Sequence, residues 1–197
     1  MAYVRRPQEP INLTEDVMVD IIHANQSRFC TSYDIAVPNC YTSYDNEADL
    51  FAIRRSKLCD EFEVKLTRSD FLNDFKKIVN VRESSHQEWG VWNAACKGLT
   101  RDQVKKLVAP WQKLKHDALL SGDMKSNYFW YVVKEGVATL EDVPKPFGLA
   151  TVDESGRIQV LRSAGRLHAE KITCEQELYI VKKLAYRFWD YRRGRRV

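Results

Sequence analysis

Residues 59–77 read CDEFEVKLTRSDFLNDFKK, and the fold is decided there. Phe62, Val64 and Leu66 alternate with Glu61, Glu63 and Lys65, the two-residue period of a strand with one apolar and one charged face. Glu63 and Lys65 therefore project together. After Leu66 the period changes: Thr67 or Ser69 can cap a helix, and Phe71, Phe75 and Ile78 or Val79 follow at helical spacing. A charged strand face that runs straight into an amphipathic helix predicts a site at the strand end.

Working upstream, Asp49–Arg54 (DLFAIR) predicts a strand and Arg55–Leu58 a turn. A turn centred on Ser56 sets Asp49 directly across from Glu63, and directly opposed residues of an antiparallel pair share a face. Phe29–Val37 predicts an earlier strand ended by Pro38-Asn39, so the three strands form an antiparallel meander. Thr14 caps a first helix carrying Val17, Met18, Ile21 and Ile22 and ending near Asn25–Ser27.

Downstream, residues 80–126 mix Trp89, Trp92 and Trp111 with many lysines and predict a helical insertion. Thr100-x-x-Gln103 forms a capping box there, and Pro110 opens a further helix running to Leu120 before Gly122. The tryptophans read as the packing of a small subdomain and the lysines as its wet, DNA-facing side, with Lys105 and Lys106 the named contacts. Asn127–Val133 (NYFWYVV) predicts a buried strand, and Gly148–Val152 with Ile158–Leu161 a hairpin around Ser155-Gly156. Leu178, Val181, Leu184, Ala185 and Phe188 lie along one C-terminal helix, followed by a basic tail at 192–197. The expected architecture is one α/β domain over 1–197 with a mixed central sheet flanked by helices.

Composition narrows the function classes. The net charge of +4 is mild, and its placement, basic ends around an acidic centre, fits a nucleic-acid enzyme as well as a frayed tail. Five scattered cysteines without a CxxC pair argue against a disulfide framework and a zinc ribbon, and for a reducing cytosol. No apolar run suits a signal peptide or a membrane span, so a soluble, cytoplasmic protein is expected. No glycine-rich phosphate loop is present, which argues against ATP chemistry. The four histidines show no metal-ligand spacing.

Asp49, then a strand and turn, then Glu63-Val64-Lys65, resembles the D…(D/E)xK signature of the PD-(D/E)xK nuclease superfamily. VKLTRSDFLNDFKK and the later YFWYVVKEGV…VPKPFGLATVDESGRIQVLR are similar to segments of the MmcB-like DNA-repair proteins. The similarity covers roughly 14–79 and 127–190. Ala48 stands where the superfamily name has proline, and 80–126 has no counterpart. An isolated ExK is more often a solvated strand face; the register of Asp49 and the segment behind the motif lift it above that.

The resemblance implies a restriction-endonuclease-like core and a metal-dependent deoxyribonuclease acting in repair, recombination or phage-related DNA processing. Asp49 and Glu63 would be catalytic and would hold Mg²⁺ or Mn²⁺ with the Val64 carbonyl, and Lys65 would orient a water or offset phosphate charge. A further acid from the first helix is Glu15 or Asp20, with Asp20 preferred. Ser69, Asp70, Asp74 and Lys76 flank the site, with Lys76 or Lys77 on a phosphate. As bland alternatives, Asp70 and Asp74 are an exposed helix face. Duplex, branched or single-stranded DNA is the expected partner, with RNA an open alternative. A homodimer is common among related nucleases, and a protein could dock through 80–126. The competing class is a catalytically inactive nucleic-acid-binding or protein-interaction adaptor on the same fold.

Overall fold

The computed structural model describes residues 10–42, 46–81, 97–100, 103 and 112–194. Their order is α1 (Glu15–Ala24), β1 (Tyr33–Tyr41), β2 (Glu47–Arg54), β3 (Cys59–Lys65), α2 (Arg68–Asp74), β4 (Ile78–Asn80) and β5 (Gln112–Leu114). Then follow α3 (Lys115–Leu120), β6 (Tyr128–Lys134), β7 (Gly148–Val152), β8 (Ile158–Arg162) and α4 (Cys174–Arg192). Six strands form one mixed sheet in the order β1-β2-β3-β6-β7-β8. β1, β2 and β3 are the expected antiparallel meander, β6 and β7 continue parallel to β3, and β8 turns back. The molecule is an α/β structure, a mixed sheet flanked by helices.

The strand period divides the core between the two faces. Phe62 and Val64 of β3, with Trp130 and Val132 of β6, pack against Met18, Val19 and Ile22 of α1. Phe129, Tyr131 and Val133 point the other way, to Phe71 of α2, Ala118 and Leu119 of α3, and Phe147. β3 and β6 lie centrally and are buried on both sides, which is why NYFWYVV carries no polar alternation. Thr14 caps α1 and Thr67 caps α2, accepting hydrogen bonds from the Val17 and Asp70 N–H groups at 3.3 and 3.2 Å. Gly148 is required by contact: a Cβ there would stand 2.3 Å from Cε3 of Trp130.

Several expectations are corrected. β1 begins at Tyr33, after a short 3₁₀ turn, and runs through Pro38 and Asn39 to Tyr41. It is an edge strand, where proline's missing donor costs no ladder bond. α2 stops at Asp74, and Ile78–Asn80 forms a strand rather than a further helical turn. The helix expected from Pro110 begins only at Lys115, because Gln112–Leu114 pair antiparallel with Asn80–Ile78 in a two-stranded sheet. Residues 80–126 are therefore not purely helical. Thr100 and Gln103 do exchange the two bonds of a capping box, at 2.8 and 3.3 Å, while most of the predicted helix lies outside the described residues. The apolar stripe of α4 turns outward: Leu178 and Phe188 are about half exposed, and Ile180 is the buried residue. No helix among the described residues is long and apolar enough to cross a membrane.

Candidate active site

β2 and β3 pair with Leu50 opposite Phe62 and Phe51 opposite Glu61, the register that carries Asp49 to the position across from Glu63. The two carboxylates come from neighbouring strands at the end of the ladder. There Asp49 Oδ2 accepts a 2.6 Å bond from the Val64 N–H. Burial, then the charge of Glu63, push the Asp49 carboxyl up to about 7; the Val64 N–H opposes this and Glu15 adds to it. Glu15 and Asp20 are both exposed on α1, and Glu15, at the helix start, adds its charge to the rise at Asp49.

Glu63 is 2 % exposed and both its oxygens are held by ammonium groups. Lys65 Nζ donates to Oε1 at 2.8 Å, and Lys115 Nζ to Oε2 at 2.5 Å. Lys115, at the start of α3, is completely buried, lies 3.0 Å from Glu61 Oε1, and sits over the Phe129 ring. Glu61 is also buried and accepts from Asn46 Nδ2 at 3.0 Å and from the Ser126 hydroxyl. Burial works against both ammoniums, but carboxylates more than offset it. Glu63 dominates for Lys65, and Glu63, Glu61 and Asp74 for Lys115, so both pKa values stand above the ordinary lysine value. The charged face of β3 is an interior ion network, not a solvated surface.

Asp74 closes the network from α2. Tyr131 of β6, the direct neighbour of Glu63, donates to Asp74 Oδ2 at 2.5 Å. His116 Nε2 lies 2.5 Å from the same hydroxyl and 3.6 Å from Asp74 Oδ2. Because the hydroxyl has one proton and gives it to Asp74, Nε2 of His116 is the donor to it. Burial alone would raise the Asp74 pKa; His116, Lys115, Tyr131 and Lys65 outweigh it and hold the carboxyl well below its usual range. Lys65 Nζ is 3.8 Å from Asp74 Oδ1 and 3.8 Å from the exposed Asp70.

The structure thus brings together Asp49, Glu63, Lys65 and Asp74, and separates the two lysines that the sequence leaves equivalent. Lys77 reaches to 3.7 Å from Glu63 Oε1, whereas Lys76 is exposed. Ser69 is exposed at the start of α2, beside the Thr67 hydroxyl. Val64 turns its side chain toward α1 and its N–H to Asp49. Lys105 and Lys106 lie outside the described residues. Sequence reasoning missed Glu61, Lys115, His116 and Tyr131. Lys115 in particular was expected on a wet surface, and its burial corrects that. Among the described residues no group of three or more His, Cys, Asp or Glu is arranged to hold a metal ion.

No protein-family profile and no curated protein matches the chain. A solved structure of similar fold is the SPO1766 protein of unknown function from Silicibacter pomeroyi. The match has a TM-score of 0.50 at 12% identity and covers 92% of this chain and 94% of that one. At that identity the likeness speaks for the fold alone.

Proposed function

We propose that the chain is a PD-(D/E)xK-type, metal-dependent DNA nuclease with a restriction-endonuclease-like core, working in the cytoplasm. The observation that carries the reading is the placement of Asp49 across from Glu63, with Lys65 bonded to Glu63, at the end of an antiparallel meander. The parallel β6 beside β3 and helix α1 beneath support it.

The donor set suits a hard divalent cation such as Mg²⁺ or Mn²⁺: Asp49, Glu63 and the Val64 carbonyl would hold it through oxygen atoms. When bound, such a cation would supply charge neutralisation at the scissile phosphate and a more acidic water. The chain's own residues do the positioning. Lys65, held between Glu63, Asp74 and Asp70, presents a permanently charged ammonium where phosphate charge would develop. Asp74, fixed by Tyr131, sets the direction from which Lys65 is held. Lys115 offsets the paired Glu61 and Glu63 charges from inside the core.

The test is cleavage of a panel of plasmid, single-stranded, flap and four-way-junction DNA in Mg²⁺ and in Mn²⁺. Metal-dependent cutting of at least one substrate is expected; silence across the panel with both metals overturns the proposal. A second reading, a nucleic-acid-binding adaptor on the same fold, is favoured by one observation: Lys65 and Lys115 already satisfy both Glu63 oxygens and compete with any cation. DNA binding that ignores metal and survives Lys65→Ala would select it.

A further inference from the structure

α4 carries a second surface that the candidate site does not use. It starts at the β2–β3 turn, where Lys57 Nζ meets Glu177 at 2.8 Å and the Ile172 N–H bonds Lys57 O at 3.0 Å. Its middle is tied to the far end of β1: Lys183 Nζ donates to Tyr41 O at 3.1 Å, and Arg187 to Pro38 O and Asn39 O at 2.7 and 3.0 Å. Pro38 pairs with Leu50, so Asn39 lies beside Asp49, and Asp49 beside Glu63. Two strand spacings, roughly 10 Å, separate the Arg187 anchor from Glu63. Ile180 packs with Phe51, which shares the face of Glu61, so α4 and the ion network occupy the same side of the sheet.

The outward side of this helix is aromatic and basic. Tyr179, Lys182, Tyr186, Trp189 and Arg193 recur at three- and four-residue steps and so share one face. Tyr186 is 70% exposed, Trp189 54% and Tyr191 77%, far more than rings of this size show when they serve a core. Tyr186, Trp189, Asp190 and Arg193 line an open groove of about 290 Å³. Beyond Glu177 the chain holds seven lysines and arginines (Lys182, Lys183, Arg187, Arg192, Arg193, Arg195 and Arg196) against one acid, Asp190. Lys183 and Arg187 are spent on the β1 carbonyls; Lys182, Arg192 and Arg193 are exposed.

We infer that this face binds an unpaired nucleic-acid strand and delivers it toward the acid–lysine cluster. Unstacked bases offer ring faces to Tyr186 and Trp189, and the backbone offers phosphates to Lys182, Arg192 and Arg193. A purely apolar partner would leave those cations unmatched, and a duplex has no free base faces for the rings. The inference rests on the nuclease reading only for the identity of the strand as substrate.

The experiment is fluorescence anisotropy of a labelled 20-nucleotide single strand and of the matching duplex, with EDTA present. Wild type is compared with Tyr186→Ala/Trp189→Ala, Arg192→Gln/Arg193→Gln and Glu63→Gln. All the altered α4 positions are exposed, and circular dichroism checks that the helix persists. The ring variant should lose about 10-fold or more on the single strand and less than about 2-fold on the duplex. The arginine variant should weaken both and flatten the salt dependence. Equal single-strand affinity of wild type and ring variant, or no single-strand binding by wild type, overturns the inference. So does a wild-type dimer on size exclusion that the ring variant loses while binding is unchanged, which would make a second copy the occupant. Ring-dependent binding without cleavage would sink the nuclease and leave this surface standing. Cleavage with ring-independent binding would do the reverse.

Discussion

Replacing Lys115 by methionine removes the one cation among the described residues that touches both Glu61 and Glu63, while keeping most of the side-chain volume. In the wild type the ammonium lies 3.0 Å from one carboxylate and 2.5 Å from the other, with no solvent exposure. Breaking a buried ion pair on one side costs about 3–5 kcal/mol, because the stranded partner keeps its desolvation penalty. Here Glu61 loses its ammonium contact while Glu63 keeps that of Lys65, so a cost within that range is expected, a large fraction of the roughly 5–15 kcal/mol of a typical domain. With a urea slope of about 2 kcal/mol per molar, the midpoint should fall by about 2 M. The sign with pH follows from the same geometry. A buried carboxylate that has lost its counter-ion is relieved of its charge by taking up a proton, so acid pH offsets part of the cost. The penalty of Lys115→Met should therefore be smaller at pH 5 than at pH 8, and Glu61→Gln added to it should restore part of the loss. A midpoint shift below about 0.5 M, equal at both pH values, would refute the interior network.

Asp49 gives the same sign. Its carboxyl stands at about 7 against an ordinary value of 3.8, so the metal-free protein should lose stability as pH rises between those values. Asp49→Asn should flatten that loss and stabilise the metal-free protein at pH 8 by about 1–3 kcal/mol; destabilisation there in urea titrations would contradict it. Asp74 has the opposite sign: its depressed pKa contributes stability above the ordinary carboxylate range, lost as pH falls below it. Asp74→Asn should cost about 2–4 kcal/mol at pH 7 and make acid unfolding shallower, whereas a neutral effect would mean that the Tyr131 and His116 contacts carry no weight. Gly148→Ala drives a Cβ into Trp130 and should cost about 1–3 kcal/mol, seen as a thermal midpoint lower by several degrees; an unchanged midpoint would show that the β7–Trp130 contact has slack.

The parts of the fold legible in the sequence are those governed by local period. β3 and its register against β2 follow from alternation and the length of the Arg55–Leu58 turn, and β6 from an uninterrupted β-forming run. Those two readings place Asp49, Glu63 and Lys65. Lys115 could not be found this way. It stands 52 residues from Glu63, in a stretch rich in lysines, and its burial depends on β5 returning to β4. His116 and Tyr131 likewise meet Asp74 only through the packing of α2 and α3 on the sheet. Pro38 misled because a proline ends central strands but not an edge strand. The stripe on α4 reads as a core face, yet the sheet takes up Ile180 and the anchors Lys183 and Arg187 instead.

The most direct test of the central claim is the single-turnover cleavage rate, on the best-cut DNA substrate in Mg²⁺, of Glu63→Gln and Lys65→Ala beside wild type. If Glu63 holds the cation and Lys65 faces the phosphate as proposed, removing either should lower the rate by about 10²–10³-fold or more, with DNA affinity changed little. Wild-type rates in either variant, once its fold is verified by urea unfolding, would contradict the assignment of the acid–lysine cluster as the catalytic centre.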